Sequence, residues 1–137
     1  MPEVLIWSVL SEDFDQGSMH SNGQSSRLVA PRDGLYAVDA QVEWRRDDTL
    51  DGAVVTLDRN QNRTCEGAAR DGTQPARDTV TGSTPNENLT NDINTLVALE
   101  AGDYLELCAV QHSGEQQLVE SFGFTWVTMR FVGRLSG

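Results

Sequence analysis

Residues 96–114 read LVALEAGDYLELCAVQHSG. Two runs rich in apolar residues flank the short segment 101–103, and the spacing of the apolar side chains is typical of β-strands. Such a short connection predicts two consecutive antiparallel strands joined by a tight corner. We expect Gly102 to supply a backbone conformation that other residues avoid, and Asp103 to hydrogen-bond its own turn. The stretch carries no obvious reactive group, so we interpret it as scaffold.

The segment 34–44, GLYAVDAQVEW, shows the clearest alternation in the chain. One face carries apolar side chains and the other carries Asp39, Gln41 and Glu43. This pattern predicts a half-buried strand. The turn before it, residues 31–34, begins with proline and ends with glycine, as turns often do.

Further strands are predicted on both sides of this segment. We expect strands at 51–60 and 63–70, a long loop region with at most one short strand at 70–94, and strands at 95–100, 104–112 and 122–132. Helical periodicity is absent, and seven or more strands with long connections predict an all-β protein, an antiparallel jelly-roll sandwich. At 137 residues, we expect one domain at 7–137 after a short N-terminal arm at 1–6.

The last strand is apolar on both faces. Val127, Met129 and Phe131 lie on one face, while Phe122, Phe124 and Trp126 begin the other. Aromatic side chains on a second face predict that something covers it, either loops of the same chain or another subunit. We favour a subunit interface formed by Tyr104, Phe122, Phe124 and Trp126. The predicted core residues are Tyr36, Val38, Val42, Trp44, Leu105, Leu107, Val127, Met129 and Phe131.

The composition excludes several classes of function. The chain has 21 acidic and 10 basic residues, a net charge of −11, which disfavours binding to nucleic acid or anionic membranes. No apolar run reaches the length of a membrane span. The first 15 residues lack a basic region and turn acidic, so we expect no signal peptide. We therefore expect the chain to be made and folded in a cytoplasm.

The two cysteines, Cys65 and Cys108, allow two interpretations. A disulfide would close a long loop, whereas a chain folded in a cytoplasm more often keeps free thiols. The sequence alone leaves this choice open. The sequence contains no cluster of cysteine and histidine residues, so it does not indicate a zinc site.

We expect no enzymatic activity. His20 and His112 lie in separate polar segments, and no Gly-x-Ser-x-Gly motif is present. Asp47, Asp48 and Asp51 are candidate calcium ligands, although a solvated acidic loop explains them better. We therefore expect no cofactor, with calcium as the alternative.

The order of these motifs resembles the globular heads of the complement-one-q and tumour necrosis factor superfamily. Gly34-Leu35-Tyr36 is similar to the Gly-x-Tyr strand of these heads, and residues 99–107 resemble their Leu-x-x-Gly-Asp-x-Val-x-Leu signature. Residues 131–135 are similar to the closing strand, and residues 14–31 resemble the opening segment of versions in bacteriophage and bacterial proteins. One departure is that Glu106 and Cys108 stand where the strand after Gly-Asp usually has an aromatic residue.

The resemblance implies a homotrimeric head. No collagen-like stalk precedes it, so we expect a structural virion protein, a capsid decoration protein seated at threefold sites. Its partners would be copies of itself and the major capsid protein or another virion protein. The arm residues Val4, Leu5 and Ile6 would contact the capsid. The alternative is the receptor- or glycan-binding head of a phage tail fibre or bacterial surface protein.

Overall fold

The computed structural model describes residues 3–4, 27–44, 52–68, 71–81, 89–112 and 126–135. These residues form eight strands: β1 (Glu3–Val4), β2 (Leu28–Val29), β3 (Gly34–Trp44), β4 (Gly52–Arg59), β5 (Ala76–Thr81), β6 (Leu89–Leu99), β7 (Tyr104–His112) and β8 (Trp126–Gly133). All recorded strand pairings are antiparallel, as predicted. No helix in the described part of the chain is long and apolar enough to cross a membrane.

The strands form two sheets. The larger sheet has the order β1-β7-β4-β5, and β2 also pairs with β7. The smaller sheet has the order β6-β3-β8. The two short strands β1 and β2 pair along one side of β7, which satisfies hydrogen-bonding groups that an edge strand would otherwise expose.

The core lies between the two sheets and is organised by β3. Tyr36, Val38, Val42 and Trp44 alternate along one face of β3, and all four side chains are buried. Leu105 and Leu107 of β7 are buried in the same cluster. The remaining predicted core residues are partly buried and pack against this cluster, because β8 is an edge strand of the smaller sheet: Val127, Met129 and Phe131.

The corner between β6 and β7 carries the chain from the smaller sheet to the larger one. Gly102 has a φ of 94°, in the range that favours glycine, as predicted. The Glu100 N–H donates to Asp103 Oδ2 over 2.9 Å, so Asp103 does bond its own turn. The corner also bonds the residue that follows β2, since the Gly102 N–H donates to the Ala30 carbonyl over 2.9 Å.

Two local predictions are wrong. Residues 61–68 contain no strand, because Asn62, Arg63 and Cys65 have positive φ angles that are incompatible with extended backbone. The region 70–94 is not mainly loop, since it contains β5 and the first half of β6.

The two cysteines form a disulfide between the segment after β4 and the middle of β7. The Cα atoms of Cys65 and Cys108 lie 5.8 Å apart. The bond joins residues separated by 43 positions in sequence, and in the chain-entropy model such a closure adds about 4 kcal/mol to the free energy of unfolding.

A buried asparagine joins the two sheets where the edge strands β5 and β6 meet. Asn91 is 1% exposed, and its Oδ1 accepts a hydrogen bond from the buried Trp44 indole over 2.9 Å. Its Nδ2 donates to the carbonyls of Ala53 and Asp78. One side chain of β6 therefore satisfies polar groups of three other strands, β3, β4 and β5.

We predict that Asn91→Leu lowers the free energy of unfolding by about 2–3 kcal/mol, because the buried Trp44 N–H loses its acceptor. Urea unfolding followed by tryptophan fluorescence measures this change. The control Asn94→Leu changes an exposed residue of the same strand and should stay within about 0.5 kcal/mol of wild type. Equal losses in both variants would contradict the role assigned to Asn91.

We also predict that Gly102→Ala lowers the free energy of unfolding by about 1–2 kcal/mol. A Cβ at this position meets no atom within 4 Å, so the loss arises from the positive φ alone. Gly133→Ala is the matched control, since its Cβ also meets open space and its φ is not positive. Chemical denaturation should separate the two variants, and a neutral Gly102→Ala would show that the corner tolerates a side chain.

Candidate functional site

The outer face of the smaller sheet carries an apolar surface. Because inner and outer side chains alternate along a strand, the burial of Val97 and Leu99 turns Leu96 and Ala98 outward. Leu96 is 59% exposed and Val132 is 47% exposed. We define the outer apolar patch as the outward-facing apolar residues at the end of the sheet near the corner: Leu35, Ala37, Leu96, Ala98 and Val132.

The strand register brings this patch together. Leu35 pairs with Ala98 across β3 and β6, and Ala37 pairs with Leu96. On the other side of β3, a register shift occurs beside Leu35, where Val132 lies between the paired residues Phe131 and Gly133. Neighbouring strands thus contribute side chains to one continuous surface.

The opposite end of the same face is polar. Asp39 pairs with Asn94 and Thr128, and the next outward position of β3 is Gln41. Trp126 pairs with Gln41 and is half-buried. The face therefore divides into a mainly apolar half near the corner, bordered by the exposed Arg130 opposite Ala37, and a polar half that ends at one aromatic ring.

An open cleft of about 1000 Å³ lies at the corner, beside the outer apolar patch. Ala98 belongs to both, and Leu135, which is 52% exposed, continues the apolar surface into the cleft. The described residues that line the cleft include Arg, Asp, Glu and Asn, but no Ser, Thr, Cys or His. The lining therefore offers charged and amide contacts to a ligand but no side-chain nucleophile of the usual hydroxyl or thiol type.

Several charged groups at this end of the sandwich hold the fold together. The Arg59 guanidinium donates to the carbonyls of Ala98 and Gly72 over 3.0 and 2.7 Å. The Arg32 guanidinium lies 3.7 Å from the centre of the Phe131 ring. The Arg59 contact with Ala98 links the two sheets, and the Arg32 contact with Phe131 links the turn that precedes β3 to the smaller sheet.

No protein-family model and no curated protein matches the chain. Among solved structures, it is similar to the structure of Eiger TNF from S. frugiperda, with a TM-score of 0.62 and 12% sequence identity. The match covers 100% of this chain and 95% of the other. The fold is a TNF-like jelly roll. The fold implied by the sequence resemblance is thereby confirmed.

The predicted interface residues do not form one cluster within the TNF-like sandwich. Tyr104 begins β7 of the larger sheet, whereas Trp126 begins β8 of the smaller sheet, at the end away from the corner. Phe122 and Phe124 lie outside the described residues. Of the two described residues, only Trp126 shares a face with the outer apolar patch.

Tyr104 is engaged within its own chain. The Arg27 guanidinium lies 3.9 Å from the centre of its ring, and its hydroxyl oxygen accepts the Asn62 N–H over 2.8 Å. Arg27 also donates to Asn62 Oδ1 over 2.5 Å. These contacts explain the half-burial of Tyr104 without a neighbouring subunit.

Two residues of the predicted arm pair with the sandwich. Glu3 and Val4 pair with Ala109 and Cys108 of β7, so these two residues extend the larger sheet. Leu5 and Ile6 lie outside the described residues.

The predicted calcium candidates Asp47, Asp48 and Asp51, and also His20, lie outside the described residues. His112 ends β7 and pairs with Gly52. Within the described ranges, no group of three or more His, Cys, Asp or Glu residues could hold a metal ion.

The outer apolar patch was missed in the sequence, although a signal for it exists. Residues 96–99, LVAL, are four consecutive apolar residues on a single strand. Because successive side chains point to opposite faces, two of the four must face outward. The run therefore indicates an apolar outer surface as well as a buried inner one.

Proposed function

We propose that the chain assembles as a homotrimer through the outer face of the smaller sheet. The exposed residues of the outer apolar patch, Leu96, Ala98 and Val132, support this proposal, because exposed apolar side chains that lie close together mark an interaction site. In a cyclic trimer, this surface of one copy contacts a different surface of the next, so three copies close a ring. Trp126, on the same face, and the predicted residues Phe122 and Phe124 remain part of the proposed interface, and Tyr104 would join it from the neighbouring copy.

We further propose that the trimer is a non-enzymatic structural protein of a phage particle, seated at threefold positions of the capsid. The similarity of residues 14–31 to the opening segment of phage and bacterial heads supports this role. A trimer and a threefold capsid site share their symmetry, so three identical contacts form at once. Val4, Leu5 and Ile6 would contact the major capsid protein or another virion protein, with residues 3–4 anchored on β7.

We predict that Leu96→Glu weakens the trimer about 30-fold or more, because it places a charge in a desolvated apolar contact. Sedimentation velocity over a dilution series measures this loss. Thr79→Glu is the control, since Thr79 is an exposed strand residue of the larger sheet. An unchanged assembly in Leu96→Glu would exclude the patch as the interface, and equal losses in both variants would point to added charge alone.

The virion role has its own test. Cryo-electron microscopy of purified particles should show trimeric density at capsid threefold or quasi-threefold sites. If the protein is a trimer in solution and no such density is present, the capsid role is wrong while the trimer stands.

The alternative function is a receptor- or glycan-binding head. The cleft beside the corner supports it, because its lining combines three arginines with carboxylates and one amide. A glycan array probed with the purified chain distinguishes the two functions. Specific binding that is lost in Arg134→Ala would favour the recognition head, whereas the decoration role predicts no glycan binding.

A further inference from the structure

The outer face of the larger sheet contains two buried carboxylates that face each other. Asp58 of β4 and Glu106 of β7 are direct partners in the strand register. Asp58 is 0% exposed and Glu106 is 2% exposed. Like charges that lie directly opposite on neighbouring strands destabilise the pairing, so this position needs compensation.

Residues 61–68, which we call the cover loop, supply part of that compensation, and the Thr56 hydroxyl supplies another part by donating to Asp58 Oδ1 over 2.7 Å. The Arg63 N–H donates to Glu106 Oε1 over 2.8 Å, and the Gly67 N–H donates to Asp58 Oδ2 over 3.1 Å. The fit is close, since a Cβ on Gly67 would lie 2.8 Å from Asp58 Oδ2. The cover loop thus closes over both carboxylates and removes them from solvent.

The closed cover loop has an unfavourable backbone. Asn62, Arg63 and Cys65 have φ angles of 49°, 65° and 56°, which residues other than glycine adopt far less often. Such a conformation persists only where surrounding contacts enforce it. The one covalent contact is the bond from Cys65 to Cys108, the second residue after Glu106 on β7.

The cover loop contributes nothing to the core. The buried apolar cluster is built from the strands and Ala30, and contains no residue of 61–68. The hydrogen bonds from the cover loop to Tyr104, Glu106 and Asp58 lie on the outer face of the larger sheet. Release of the loop therefore leaves the packing between the two sheets intact.

We propose that the cover loop is a redox-controlled latch. The disulfide holds it closed over Asp58 and Glu106, and reduction of Cys65 and Cys108 releases it while both sheets stay folded. The inference rests on the fold alone and does not depend on the proposed function.

A small thiol has a route to the disulfide. A pocket of about 160 Å³ opens beside both sulfurs, lined by Val54, Thr56, Gln74, Arg77 and Val110 among others. Cys65 is half-buried whereas Cys108 is 1% exposed, so attack at Cys65 Sγ meets less obstruction.

The exchange balances with a dithiol such as dithiothreitol. One thiolate forms a bond to Cys65 Sγ, the bond between the two cysteines breaks, and Cys108 leaves as a thiolate that takes a proton from water. The second thiolate of the same reagent molecule then attacks the reagent's other sulfur atom in the mixed disulfide, which frees Cys65. Two electrons pass to the cysteines, and the reagent becomes a cyclic disulfide. Oxidised glutathione, a small disulfide, reverses the reaction and is reduced to two thiols.

Amide hydrogen exchange of the wild-type chain, with and without dithiothreitol, tests the latch. We expect the amides of Asn62, Arg63 and Gly67 to exchange at least about tenfold faster after reduction. Loss of the disulfide also lowers the free energy of global unfolding, so amides of β3 and β6 exchange faster too, but they stay far more protected than those of the cover loop. Oxidised glutathione should restore slow exchange as the count of free thiols falls from two to none.

Two variants sharpen the test. The double variant Cys65→Ala with Cys108→Ala should exchange like the reduced chain whether or not reductant is present. In the reduced chain, Glu106→Gln should slow exchange of the cover loop about twofold to fivefold, because it removes the repulsion with Asp58.

Either of two results would overturn the proposal. Unchanged exchange in the cover loop after reduction would show that its hydrogen bonds suffice to hold it. Loss of protection in β3 and β6 down to the level of the cover loop would show that reduction unfolds the whole sandwich rather than one loop.

Discussion

Burial of one face of β3 between the two sheets is the constraint on which the rest of the structure depends. The 11 residues of β3 pair along their whole length with β6, and the other side of β3 pairs with β8. Once Tyr36, Val38 and Val42 point inward, the register dictates which side chains of the neighbouring strands point inward too. The same register fixes the outward side chains, so the outer apolar patch is a consequence of how the core is formed.

The polar groups that the fold buries are each matched by a specific partner. Asn91 accepts a hydrogen bond from the Trp44 indole and donates to two backbone carbonyls, at the side of the sandwich where the edge strands β5 and β6 meet. Asp58 and Glu106 receive backbone N–H groups from the cover loop instead. The first arrangement joins the two sheets and the second lies outside them, which is why the first supports the fold and the second is suited to local opening.

Much of the fold could be predicted from alternation and turn chemistry. Val38 to Trp44 alternates without interruption, and Gly102 with Asp103 marks the corner, so both features follow from local rules. The first half of β6 could not be predicted, because its inward position 91 carries an amide whose partners lie on other strands. The choice between a disulfide and free thiols could not be made from the sequence for a similar reason, since only the tertiary fold places Cys65 beside β7. Of the predicted interface residues, Trp126 lies on the same face as the outer apolar patch, whereas Leu96 was assigned to the strand and not to its surface.

We propose that the outer face of the smaller sheet contacts other copies of the chain around a threefold axis. A crystal structure of the purified protein would reveal these contacts directly. We expect three copies around one axis, with Leu35, Leu96 and Val132 of each copy buried against its neighbour. A monomer with these side chains in solvent, or an assembly that leaves this face uncovered, would contradict it.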